Sequence, residues 1–121
     1  MTAPSPVAAA LPSLDGRTFV GVSNTGDGEV DDATVFTYHE RDGLLWAEYA
    51  GGTITLGRLA GTRQGDVLDF RYVHVSQDGS TSSGHCRAEL EQLPDGRLRS
   101  YETWQWESRP GAGRSVVEER R

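Results

Sequence analysis

Glu48, Glu102 and His74 are the side chains whose type and surroundings could move a proton, because each lies in a short run that also carries large aromatic residues. A carboxyl or imidazole sheltered among rings must find a hydrogen-bond partner or change its pKa. Both outcomes suit ligand binding or general acid-base work. Residues two apart share one face of a β-strand. That rule groups Leu44, Trp46, Glu48 and Ala50 in one run, Leu68, Phe70, Tyr72 and His74 in a second, and Leu98, Ser100, Glu102, Trp104 and Trp106 in a third. A purely structural core would favour aliphatic residues at these positions.

The three faces are therefore expected to look inward and converge. Trp46, Tyr72, Trp104 and Trp106 would form the walls of a small-molecule site, with Glu48 and Glu102 accepting hydrogen bonds from a cationic or donor-rich ligand. Arg71 would pair with one of these carboxylates or, if its own face is the inner one, bind an anionic group. With His74 these residues make up the candidate binding set. A second reading is a small barrel enzyme in which Glu48, Glu102 or His74 performs acid-base catalysis. A third is a structural or oligomerising domain, its interior filled by its own side chains and its two glutamates lying at the rim or bonded to Tyr72, Arg71 or the indole N–H groups.

Other chemistry has less support. Cys86 shares a face with Gly84, Ala88 and Leu90 and is expected to be buried and inert. As the single cysteine it excludes an internal disulfide and a multi-cysteine metal site, and it fits a reducing cytoplasm. His39, His74 and His85 fall in separate runs without metal-site spacing. The acidic stretch from Asn24 to Ala33, with Asp27, Glu29, Asp31 and Asp32, lacks the ligand spacing and glycine of an EF-hand and reads as a solvated loop. No metal and no cofactor are expected. A nucleophile elbow, a phosphate loop and a dinucleotide fingerprint are all missing, and the absence of lysine removes Schiff-base chemistry. Eighteen acidic against twelve basic residues give a net charge of -6, which disfavours nucleic acid and anionic membrane as partners. No run reaches the roughly 18 apolar residues a membrane helix needs.

The elements that must position the candidates read as strands. Runs rich in β-branched and aromatic residues predict strands over Thr18 to Ser23, Thr34 to Glu40, Leu44 to Ala50, Thr53 to Ala60, Val67 to Ser76, Ser82 to Leu93, Arg97 to Glu107 and Arg114 to Glu119. Asp42-Gly43, Asp78-Gly79 and Asp95-Gly96 supply the positive φ that hairpin turns demand, while Gly51-Gly52 and Gly61 with Gly65 flank the fourth strand. Asn24 to Ala33 and Ser108 to Gly113 fit longer loops. The expected fold is all-β, an up-and-down antiparallel meander of about eight strands that removes its edges by closing into a small barrel; a β-sandwich is the alternative. Residues 1–13, broken by Pro4, Pro6 and Pro12 and without a positive charge ahead of their apolar run, read as a disordered tail rather than a signal peptide, leaving one domain over 14–121. Pairing through a sheet face or edge makes a homodimer the expected form of any self-association.

The runs Asp15-Gly16-Arg17-Thr18-Phe19, Trp46-Ala47-Glu48-Tyr49-Ala50-Gly51-Gly52, Leu68-Asp69-Phe70-Arg71-Tyr72 and Tyr101-Glu102-Thr103-Trp104-Gln105-Trp106 occur in an order that resembles a family of small bacterial proteins labelled N-acetylglutamate synthase. The likeness spans Leu14 to Glu119. The chain has no strand, loop and helix to hold the pyrophosphate of acetyl-CoA, so the resemblance implies a shared family rather than an acetyltransferase. At the level of fold the meander resembles the calycins, which include lipocalins, fatty-acid-binding proteins and haem-binding nitrobindins. Their first-strand glycine-tryptophan signature is absent from Thr18-Phe19-Val20-Gly21-Val22.

Overall fold

A computed structural model describes residues 11–121 of the chain. Its regular elements are β1 (Thr18–Asn24), β2 (Val35–Arg41), β3 (Leu44–Gly51), β4 (Ile54–Gln64), β5 (Val67–Ser76), β6 (Thr81–Gln92), β7 (Leu98–Trp106) and β8 (Ala112–Glu119). Each strand pairs antiparallel with the next, and β8 returns to β1 through pairs such as Phe19 with Glu119, so the sheet closes into a barrel. The meander follows from the turns. At Asp42-Gly43 both residues take positive φ (54° and 80°), the type I′ geometry that matches strand twist across a two-residue loop. Gly79 and Gly96 each take the one positive φ that closes a slightly longer loop.

Closure gives the barrel two ends. The β1–β2, β3–β4, β5–β6 and β7–β8 connections lie at one end, which forms the mouth, and the alternate turns lie at the other. The far end is plugged by Leu14, whose amide donates to Glu40 Oε1 (2.9 Å). Arg63 pairs with the same carboxylate at 2.9 Å and donates to the carbonyls of Leu11 and Pro12. Residues 11–13 of the expected tail thus run along this end, and residues 1–10 lie outside the described residues.

Two expectations are corrected. First, β4 runs through Gly61 to Gln64, so Gly61 is not part of a turn. It faces Phe70 across the strands, and a Cβ there would stand 2.0 Å from the Asp69 carbonyl oxygen. Second, β3 presents its other face inward: Leu45, Ala47 and Tyr49 are buried, whereas Leu44 and Trp46 are exposed and Ala50 and Glu48 lie on the outer side. Both faces of β3 carry apolar residues, so alternation alone does not choose between them. The Asp42-Gly43 hairpin does, because it pairs Phe36 with Tyr49 and Tyr38 with Ala47 and so turns these residues inward together.

Candidate functional site

Inside the barrel, toward the mouth, lies a cavity of about 40 Å³. That is room for roughly three waters. Its walls come chiefly from the inward faces of β5 and β7: Phe70, Tyr72 and His74 from one, Glu102, Trp104 and Trp106 from the other. Aromatic rings interlock around it, with Trp104 and Trp106 centred 5.4 Å apart and Tyr72 meeting Trp106 edge-on at 5.7 Å. Tyr49 and Tyr72 lean over Gly57 and Gly84 on the adjacent strands, where an added Cβ would lie 2.4 Å and 2.3 Å from the tyrosine atoms. Glycine inside these strands thus makes room for each ring.

Glu102 lies in the wall of this cavity and is buried (8% exposed). Ser115 on β8 donates to its Oε1 at 2.7 Å and is its one hydrogen-bond partner among the described residues. Burial disfavours the charged form and pushes its pKa up to about 7, although the Ser115 hydrogen bond pulls the other way. Burial likewise raises the Cys86 thiol and the Tyr49 and Tyr72 phenols, leaving them protonated and able to donate. Cys86 lines the same cavity and is buried, so its sulfur is a wall atom rather than a nucleophile.

His74 stands nearer the mouth and is 2% exposed. Its Nε2 lies 2.6 Å from Glu29 Oε1, and its Nδ1 lies 2.9 Å from the Tyr49 hydroxyl. A carboxylate only accepts, so Nε2 carries a proton toward Glu29, while Nδ1 shares a hydrogen bond with the Tyr49 hydroxyl. Above it the β1–β2 loop folds across the mouth. Trp104 Nε1 donates to Asn24 Oδ1 (2.9 Å), Trp106 Nε1 donates to Asp27 Oδ1 (3.1 Å), and Val30 packs against the core. From the β7–β8 loop, Arg109 stacks on Trp106 with 4.1 Å between guanidinium carbon and ring centre, and reaches Glu29 Oε2 at 3.1 Å. The acidic stretch is therefore a cover, not a freely solvated loop.

Of the candidate set, Tyr72, His74, Glu102, Trp104 and Trp106 meet in one cavity, and Trp46, Glu48 and Arg71 do not. Glu48 accepts from His39 Nε2 (2.8 Å) on the outer face, where Trp46 stacks on the same imidazole at 5.4 Å. Arg71 is exposed and pairs with Glu107 at 3.1 Å rather than with Glu48 or Glu102. The three histidines stay apart, each with its own carboxylate: His39 with Glu48, His74 with Glu29, His85 with Asp69. Sequence reasoning missed Asn24, Glu29, Tyr49, Arg109 and Ser115. Strand parity would have found part of this group, since it puts both long loops at one end.

Residues 12–120, the whole of this closed eight-stranded meander, match the family described as Avidin-like protein. The chain belongs to the avidin-like family. Searches of curated proteins and of solved structures found no match. The match covers the whole barrel and supports the calycin-type likeness; it carries nothing on the synthase label.

Proposed function

We propose that this avidin-like barrel binds a small organic molecule without transforming it, seating a hydrogen-bond-donating group on Glu102 between Trp104, Trp106 and Tyr72. The observation that carries the reading is a carboxyl buried in an aromatic cavity with one hydroxyl as its protein partner. A group of this kind costs stability, and ligand N–H groups would offset that cost by completing its hydrogen bonds. Eight-stranded barrels are wide enough for one small ligand. Because the cavity measures about 40 Å³ with the loop closed, anything metabolite-sized requires the β1–β2 loop to swing out.

Native mass spectrometry of the purified protein, followed by thermal-shift screening of metabolites that include biotin and other amide- or urea-bearing compounds, tests this. A specific binder raises the melting temperature by mass action. Glu102→Gln should then weaken binding about tenfold or more, equivalent to loss of one good charge-assisted hydrogen bond. A protein that retains no ligand, responds to no compound and is only made more stable by the substitution is the filled-core domain instead.

A further inference from the structure

We propose that the outer wall of the barrel carries a second binding site, a groove that takes a phosphate monoester by its doubly charged head. The site lies outside the barrel and stands or falls without the interior ligand. A groove of about 530 Å³ runs along the outside of β6, β7 and β8 and takes in Ser23 at the end of β1. That volume is in the range of small-molecule sites, whereas the interior cavity holds about 40 Å³. Glu102 and Ser115 line both spaces, so a single thickness of sheet separates them.

Strand register sets three donors in a row across the groove. Arg87 on β6 stands opposite Thr103 on β7, which stands opposite Arg114 on β8. All three are exposed, and the arginines are about 10 Å apart at the backbone, two strand spacings. Thr25 fixes the end of the row, its hydroxyl accepting from the Arg114 amide at 2.9 Å. Neither guanidinium has a carboxylate to itself. Arg114 forms no ion pair among the described residues, and Arg87 has only Asp69 at 3.6 Å, a carboxylate that already bonds His85 Nε2 at 2.6 Å. Acids outnumber basic residues eighteen to twelve in this chain, and elsewhere they are used: Arg97 and Arg99 both reach Glu118 at 2.6 Å.

Two guanidiniums with a hydroxyl between them offer donors from three directions. A planar carboxylate is matched by a single guanidinium fork, whereas a tetrahedral head with three free oxygens can give one to each donor. The next row of the sheet, Glu89, Tyr101 and Val116, lines the same groove. Tyr101 is 43% exposed and presents its ring to an apolar or aromatic body attached to that head. Glu89 repels a dianion, so its removal should strengthen binding.

Inorganic phosphate and phenyl phosphate are the probes, read by melting temperature at about pH 7.5, where the head carries close to two negative charges, against sodium chloride of equal ionic strength. Phosphate should raise the melting temperature by about 2 °C or more, and phenyl phosphate should raise it further. Arg87→Gln and Arg114→Gln should each remove most of the gain, Glu89→Gln should enlarge it, and Tyr101→Ala should bring phenyl phosphate down to the level of inorganic phosphate. These four side chains are exposed, so the substitutions leave the core intact. Arg41→Gln, at the end of β2, controls for bulk charge and should leave the gain unchanged. A gain no larger than that of chloride, a gain that persists in the Arg87→Gln/Arg114→Gln double variant, or one that falls equally in Arg41→Gln overturns the proposal. Glu102→Gln separates the groove from the interior. A phosphate gain retained in that variant keeps the groove whatever becomes of the barrel ligand, whereas a gain lost there and kept in the arginine variants moves the phosphate inside and removes the groove.

Discussion

Glu102 shows how one buried group links stability to binding. Its folded pKa of about 7 stands above the ordinary 4.5, so the folded state holds its proton more tightly than the unfolded state. The contribution it makes to stability is complete below about pH 4.5 and is lost as the pH rises through about 7; the shift corresponds to about 3 kcal/mol. Glu102→Gln is expected to exceed the wild type in stability at pH 8.5 by up to about that amount and to match it near pH 4, as read by urea unfolding at the two values. A ligand that donates to the ionised carboxylate should bind more tightly as the pH rises from 6 to 8, and calorimetry across that range checks the sign. Tyr49→Phe removes the hydroxyl that bonds His74 Nδ1 in a buried setting. It should lower stability by about 1–3 kcal/mol in chemical unfolding.

The β1–β2 loop is the element on which access depends. Asn24 organises it from the end of β1: its Oδ1 accepts from Trp104 Nε1 and the Thr25 amide, and its Nδ2 donates to the Val30 carbonyl at 3.2 Å. Asn24→Ala should cost about 1 kcal/mol, quicken amide exchange over residues 25–34 while leaving β4 to β6 unchanged, and red-shift tryptophan emission as the mouth opens. Within the wall, Gly57→Ala would push a Cβ to 2.4 Å from the Tyr49 ring. Overpacking of that kind should cost about 2 kcal/mol and displace the hydroxyl that orients His74, which its ring nitrogen shifts in NMR would report.

Across the whole molecule the chain's two ends meet in one seam, whose five residue pairs outnumber the three that join β1 to β2. β1 and β8 pair with a register shift between Gly21 and Ser23, and Arg17 straps the seam by reaching Glu119, which also accepts from the Leu98 amide. Arg17→Ala is expected to lower stability by about 1 kcal/mol and to raise exchange in β1 and β8 before any other strand. Since closure joins Phe19 to Glu119 across nearly the full sequence, folding should be slow for a chain of this size, in the millisecond-to-second range by stopped-flow tryptophan fluorescence.

Local chemistry determined a good deal of this protein. Asp-Gly turns and period-two alternation marked all eight strands, and on β5 and β7 the aromatic face stood so clearly against a charged one that Tyr72, His74, Glu102, Trp104 and Trp106 were legible as one inward set. Alternation says only that two faces differ, and on β3 both were apolar; Tyr49 rather than Trp46 and Glu48 went inside because the Asp42-Gly43 hairpin pairs it with Phe36. Only the closed tertiary structure decided that Asn24 at the end of β1, Glu29 in the loop that follows and Arg109, 80 residues beyond Glu29, cover one opening. Their meeting depends on joining the first strand to the last, a contact that no window of neighbouring residues contains.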